Sequence, residues 1–89
     1  MKIKDGFVVR DLAGQSIVVA LGEASKTFNG MIKLNDTGRL IWDMLAEGRT
    51  KDEIIDRFTA EYDVEREIAE RDVTAFIETL QGADILEQY

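Results

Sequence analysis

The side chains available for chemistry in this chain are carboxylates, lysines and arginines, because its 89 residues include no histidine and no cysteine. The commonest general base, the usual zinc ligands and the strongest nucleophile are therefore missing. The acidic pair Asp52-Glu53 follows Thr50 at the spacing of a helix capping box, so capping explains it. The acidic residues lack the spacing of a calcium loop, and the glycines form no phosphate-binding motif. We predict no catalytic residue, no metal and no cofactor.

A short strand-like run, Met31-Ile32-Lys33-Leu34, offers a different kind of site. Strand alternation predicts Ile32 and Leu34 on one face and Met31 and Lys33 on the other. An edge strand exposes unpaired N–H and C=O groups that can pair with an incoming peptide. A solvated strand face explains Met31 and Lys33 equally well, so both interpretations stay open at this point.

The elements that must position this strand follow a simple order. Strand-like runs at 7–10 and 16–21, joined by a turn at Gly14, predict a β-hairpin. Polar and small residues at 22–30 predict a loop, with Phe28 folding back onto the core and Asn29-Gly30 suited to a tight turn. Apolar periodicity then predicts three helices, near 36–47, 51–62 and 65–81.

Local signals set the ends of these helices. Asn35 is predicted to cap the first helix and Gly48 to end it, while Thr50 begins the second and Asp63 caps the third. The single tryptophan, Trp42, is predicted to be a core anchor. One apolar stripe is predicted along the third helix: Ile68, Ala69, Val73, Phe76, Ile77 and Leu80. Gly82 is predicted to end this helix, and Ile85 and Leu86 to dock on the body.

Composition limits the class of function. The formal net charge is -7, which disfavours a protein that grips a nucleic-acid backbone. No run approaches the roughly 20 apolar residues that span a bilayer, and the start of the chain has no apolar signal region. We therefore predict one domain over residues 1–89, in the cytoplasm, with no membrane and no nucleic-acid partner.

Several pieces of the sequence, in this order and spacing, resemble the PqqD family, named for a pyrroloquinoline quinone biosynthesis protein. The pieces are Leu34-Asn35-Asp36-Thr37-Gly38, Ile41-Trp42, Gly48-Arg49-Thr50, Glu53-Ile54, Tyr62-Asp63-Val64, Asp72-Val73 and Phe76-Ile77. The resemblance implies an α+β, winged-helix-like fold in which a three-stranded antiparallel sheet precedes three helices. It also implies a non-catalytic adaptor, monomeric or homodimeric, that binds the leader of a ribosomal precursor peptide.

The same resemblance implies where the peptide binds. The leader would add a strand to the third strand and lie against the third helix, and the adaptor would present it to a radical S-adenosylmethionine enzyme or another peptide-modifying enzyme. The implied peptide-binding residues are Met31, Ile32, Lys33, Leu34, Ala69, Asp72, Val73 and Phe76. For Phe76, the apolar stripe by itself favours core packing over ligand contact.

Two other classes of function remain as alternatives. A winged-helix DNA-binding module shares the mixture of helices and a small sheet, although the charge of -7 and the lack of a basic helix face disfavour it. A regulatory protein-interaction module is the second alternative.

Overall fold

The structure, a computed structural model, describes residues 2–28 and 30–87. The elements of the described chain are β1 (Lys2–Ile3), β2 (Phe7–Leu12), β3 (Gln15–Ala20), α1 (Ala24–Thr27), β4 (Ile32–Leu34), α2 (Asp36–Ala46), α3 (Lys51–Tyr62), α4 (Arg66–Gly82) and β5 (Leu86–Glu87). The predicted α+β class is confirmed, with a three-stranded antiparallel sheet before three long helices. The third predicted helix is α4. Asn29 lies outside the described residues, and so does the turn predicted there.

The three-stranded sheet has the order β2-β3-β4, and both of its pairings are antiparallel. The hairpin between β2 and β3 closes through Ala13 and Gly14, both at positive φ (51° and 80°). The commonest two-residue hairpin turn requires positive φ at both central residues, and glycine adopts this conformation without strain. In the second pairing Ile17 lies opposite Lys33 and Val18 lies opposite Ile32.

The helices cover one face of this sheet and enclose the core. The largest fully buried side chains come from β3, from the three long helices and from the segment after α4: Val18, Ile41, Leu45, Ile54, Val73, Leu80 and Ile85. Trp42 is buried, as predicted. Phe28 packs against the core and meets Phe7 edge to face at 5.5 Å between ring centroids, so the predicted fold-back is confirmed.

A second, two-stranded sheet joins the two ends of the described chain. β1 pairs antiparallel with β5, with Lys2 opposite Glu87 and Ile3 opposite Leu86. The Lys4 N–H donates to the carbonyl of Ile85 at 2.8 Å and extends the contact. The docking predicted for Ile85 and Leu86 is confirmed, but the pairing with β1 was not anticipated.

The helix caps are mostly as predicted. The Asn35 side chain accepts from the Gly38 N–H, and Thr50 with Glu53 forms a complete capping box. Gly48 follows the end of α2 at φ 80°. The prediction for Asp63 was wrong, because Asp63 ends α3 in the left-handed conformation. Glu65 holds the cap position of α4 and makes no side-chain cap bond.

Four further predictions need correction. The predicted loop at 22–30 contains the single-turn helix α1. Ile68 belongs to the apolar stripe by spacing, yet it is 38% exposed, because it lies at the side of the buried stripe. Met31 precedes β4 instead of lying in it, and Leu21 follows β3.

Candidate functional site

The outer edge of β4 is the first feature of the candidate site. β4 pairs with β3 along one edge, and within residues 2–28 and 30–87 no strand pairs with its other edge. Three residues at about 3.3 Å each give an open edge roughly 10 Å long. The N–H and C=O groups on that edge lack a strand partner, so another strand can add there.

The two faces of β4 have different environments, as the alternation predicted. Leu34 is buried and Ile32 is half-buried against the core. Lys33 is exposed on the opposite face, and Met31 is 69% exposed just before the strand. A strand added at this edge would therefore continue a sheet that is apolar on its inner face.

A shallow depression at the end of β4 is the second feature. Its volume is about 350 Å³, and it lies between the first turn of α2 and the middle of α4. The depression is lined by Asn35, Thr37, Gly38, Ile41, Asp72, Ala75, Phe76 and Thr79. Since Asn35 directly follows β4, the depression and the open edge adjoin each other in the chain.

Gly38 is the point where the walls of the depression converge. A β-carbon built on Gly38 would lie 3.1 Å from Asn35 Oδ1, 3.1 Å from Phe76 Cε1 and 3.6 Å from Leu34 Cδ2. Glycine therefore lets the end of β4 and the ring on α4 approach the first turn of α2 closely. Sequence patterns did not single out this role for Gly38.

Hydrogen bonds fix the turn that leads from β4 into α2. Asn35 Oδ1 accepts from the Gly38 N–H at 2.8 Å and from the Thr37 hydroxyl at 3.0 Å. The Asn35 side chain thus serves as a helix cap and as one wall of the depression. Its geometry sets the direction in which the β4 edge runs past α4.

An arginine on α2 ties the helix to the hairpin. Arg39 Nη1 donates to Asp11 Oδ1 at 3.0 Å and to Ser16 Oγ at 2.8 Å, while its Nε donates to both oxygens of Asp43. The hydrogen bond to Asp43 is the main cause that raises the pKa of the Arg39 guanidinium above its ordinary value. Since Ser16 lies opposite Leu34 in the register, this network supports the end of β4. The contacts of Arg39 with Asp11 and Ser16 could not be predicted, because these residues are far from Arg39 in the chain.

The implied peptide-binding residues fall into two groups in the structure. Ile32 and Lys33 lie along the open edge, with Met31 just before it and Leu34 at its end. On α4, Asp72 is exposed and Phe76 is half-buried, and both line the depression. Ala69 and Val73 have no exposed surface, so they would support a peptide site from beneath instead of contacting a peptide.

Three kinds of feature were not found among the described residues. None of their polar or charged side chains is buried, and no group of three or more acidic residues could hold a metal ion there. Within the same residues, no helix is long and apolar enough to cross a membrane.

Known structures share this whole architecture. A structure described as TbiB1 in complex with the TbiA(beta) leader peptide superposes with a TM-score of 0.82 at 32% identity, covering 100% of this chain and 98% of that chain. A lasso peptide synthetase B1 complexed with the leader peptide gives a TM-score of 0.79 at 24% identity, covering 98% and 96%. At 24% identity, the second superposition shows only that the fold is shared. Comparison with curated proteins gives no significant match.

These superpositions define the class of fold, an α+β domain in which a three-stranded antiparallel sheet precedes three long helices. The family model for coenzyme PQQ synthesis protein D (PqqD) matches residues 9–86, and the chain belongs to the PqqD family. The resemblance drawn from the helix caps and apolar pairs is therefore confirmed.

Proposed function

We propose that this chain is a non-catalytic adaptor that binds the leader of a ribosomal precursor peptide and presents it to a peptide-modifying enzyme. The observation that carries the proposal is the open edge of β4 beside the depression at Gly38 and Phe76. Support comes from the 32% identical TbiB1, which is described in complex with a leader peptide.

In the proposed complex, the leader adds a fourth strand along β4. Backbone pairing with the open edge supplies affinity with little demand on the leader sequence, whereas the depression supplies selectivity through one apolar side chain. That side chain would rest on Phe76 and against Gly38, with Asp72 at the rim favouring a basic neighbour. Ordering a flexible leader offsets part of this contact energy, so the affinity should be moderate.

The enzyme that receives the peptide is proposed more broadly. The family resemblance implies a radical S-adenosylmethionine enzyme, while one structural neighbour is named as part of a lasso peptide synthetase. We therefore propose a peptide-modifying enzyme encoded near this chain, with the radical enzyme as the first candidate to test.

Proline substitutions at Ile32 and Lys33 test strand addition as a matched pair. Adjacent residues of a strand direct their N–H groups to opposite edges, so one of the two faces β3 and the other faces the open edge. Proline at the open-edge position should abolish binding of a synthetic leader while stability is retained. Proline at the other position should lower stability by about 0.5–1.5 kcal/mol through loss of a ladder bond. Titration calorimetry and urea unfolding measure the two effects.

Amide shifts on leader addition provide an independent measurement. The proposal predicts the largest shifts at 31–34 and at 72–76, and an Asp72→Lys variant should change the affinity for the same leader. Shifts confined to the turn at Ala13 and Gly14, together with unchanged binding by both proline variants, would contradict strand addition at β4.

A further inference from the structure

The outer face of the three-stranded sheet, turned away from the helices, has its own surface chemistry. Along β2, alternation sends Phe7 and Val9 to the core, and both pack against it. The intervening side chains stand on the other face, together with their partners across the register. This outer face, as we define it, consists of Val8, Arg10, Leu12, Gln15, Ile17, Val19 and Lys33.

The outer face is more apolar than an ordinary solvated face. Leu12 is 53% exposed, and Val8 and Val19 are half-buried although no helix packs on them as part of the core. Ile17 is only 7% exposed, yet it does not belong to the contiguous core cluster. Its direct neighbours across the register are Arg10 and Lys33, whose side chains have apolar stems long enough to reach over it.

The charges on this face are unusual for the molecule. Within the described residues, the chain's other cations are mostly engaged in ion pairs, whereas Arg10 and Lys33 take part in none. The protein as a whole carries a net charge of -7. An unpaired arginine and an unpaired lysine on either side of an apolar centre therefore make this face locally positive.

We propose that the outer face docks a partner protein through an apolar patch rimmed by carboxylates, and that this partner is the enzyme that acts on the bound leader. We expect the rim of the partner's patch to be acidic because it would lie against the positive charges of Arg10 and Lys33. The identity of the partner rests on the proposed function, because a leader strand added at β4 would extend this same face. Alternate leader side chains would then stand beside Lys33, within reach of an enzyme docked there.

The size of the face is consistent with a transient contact. Two strands of six residues and one of three, at about 3.3 Å per residue and 4.8 Å between strands, cover roughly 240 Å². A standard stable interface buries about 800 Å² on each partner, so the sheet face alone is too small for permanent association. The added leader widens the face by one strand, which would make docking stronger when a leader is bound.

Charge reversal at Arg10 tests the docking face. Arg10→Glu should weaken binding to the leader-modifying enzyme encoded near this chain by about tenfold, and the remaining binding should lose most of its salt dependence between about 50 and 500 mM NaCl. The control is Lys51→Glu, which makes the same charge change at another cation without an ion-pair partner in the described part of the chain, on α3. Leu12→Ser tests the apolar part of the face separately. Biolayer interferometry on the intact chain, with and without a synthetic leader, measures all three.

The outcomes separate this inference from the proposed function. Equal effects of Arg10→Glu and Lys51→Glu, or no effect of Arg10→Glu and Leu12→Ser, would overturn the docking face. A wild-type homodimer in sedimentation velocity that dissociates in Arg10→Glu would also overturn it, since the occupant would be a second copy. Leader titration is performed on every variant: the docking proposal expects unchanged affinity, because Arg10 and Leu12 lie on the strand farthest from β4. Failure of the wild type to bind any leader would instead contradict the proposed function.

Discussion

Substituting Gly38 by alanine tests whether the close approach of β4, α2 and α4 shapes the peptide site. In a helix, alanine is more favourable than glycine by roughly 0.5–1 kcal/mol. Against this gain, the new methyl group would meet Asn35 Oδ1 and Phe76 Cε1 at 3.1 Å. Favourable carbon contacts lie near 3.5–4.0 Å, so the ring and the amide must each move by about 0.5 Å.

Overpacking of this kind typically costs 1–3 kcal/mol. Phe76 is half-buried and can move outward, which favours the lower part of that range. An overpacking cost of about 1.5 kcal/mol, less the helix gain of about 0.5–1 kcal/mol, leaves a net loss of roughly 0.5–1 kcal/mol for Gly38→Ala, which urea unfolding measures. The larger consequence concerns binding, because the displaced ring would enter the depression and leader affinity should fall by about tenfold.

Gly82→Ala is the matched control. Gly82 ends α4, its backbone is not in the left-handed region, and an added β-carbon would have nothing within 4 Å. This variant should gain up to about 1 kcal/mol and bind leader like the wild type. If Gly38→Ala shows the same gain and the same leader affinity, the close packing at Gly38 has no energetic consequence and the reasoning is refuted.

Two further predictions concern the scaffold. Phe58→Ala removes a ring that is 3% exposed and contacts Tyr62, so it should cost about 3–5 kcal/mol and leave the domain partly unfolded in a thermal melt; a melt unchanged from the wild type would contradict the core assignment. The pKa of Glu53 lies below its ordinary value of 4.5, first because the Glu53 carboxylate accepts a hydrogen bond from the Thr50 N–H. The ionised carboxylate therefore stabilises the fold above pH 4.5, and this stabilisation is lost as the pH falls through the lowered pKa. The difference in melting temperature between the wild type and Glu53→Gln should therefore shrink from about pH 7 to about pH 3, and a constant difference would show that the capping box does not depend on the charge.

Much of the fold could be predicted because its signals are local. Asn35, Gly48 and Thr50 mark helix ends through bonds or conformations that involve residues three or four apart. Asp63 misled for the same reason: an aspartate before a helix resembles a cap, but it is also tolerated in the left-handed conformation that ends α3. The residues around Asp63 do not by themselves distinguish a cap of the following helix from the left-handed end of the preceding one.

The features that could not be predicted depend on distant parts of the chain. β1 and β5 contain two residues each, which is too short for strand alternation to be recognised in the sequence. Their pairing also joins residues at opposite ends of the described chain. The Arg39 network likewise joins α2 to the hairpin. For the candidate site, alternation identified the exposed and inward residues of β4, whereas the position of Phe76 beside Gly38 required the packing of α4 on α2.

The pairing of β1 with β5 makes the described chain nearly circular. Lys2 and Glu87 are register partners, so a peptide linker of a few residues could join them. New ends could then be opened at Ala13 and Gly14, in an exposed turn that belongs neither to β4 nor to the lining of the depression. In such a permuted chain, the sheet edge and the depression would be built entirely from uninterrupted sequence, since residues 15–87 would run unbroken through β3, β4 and all four helices.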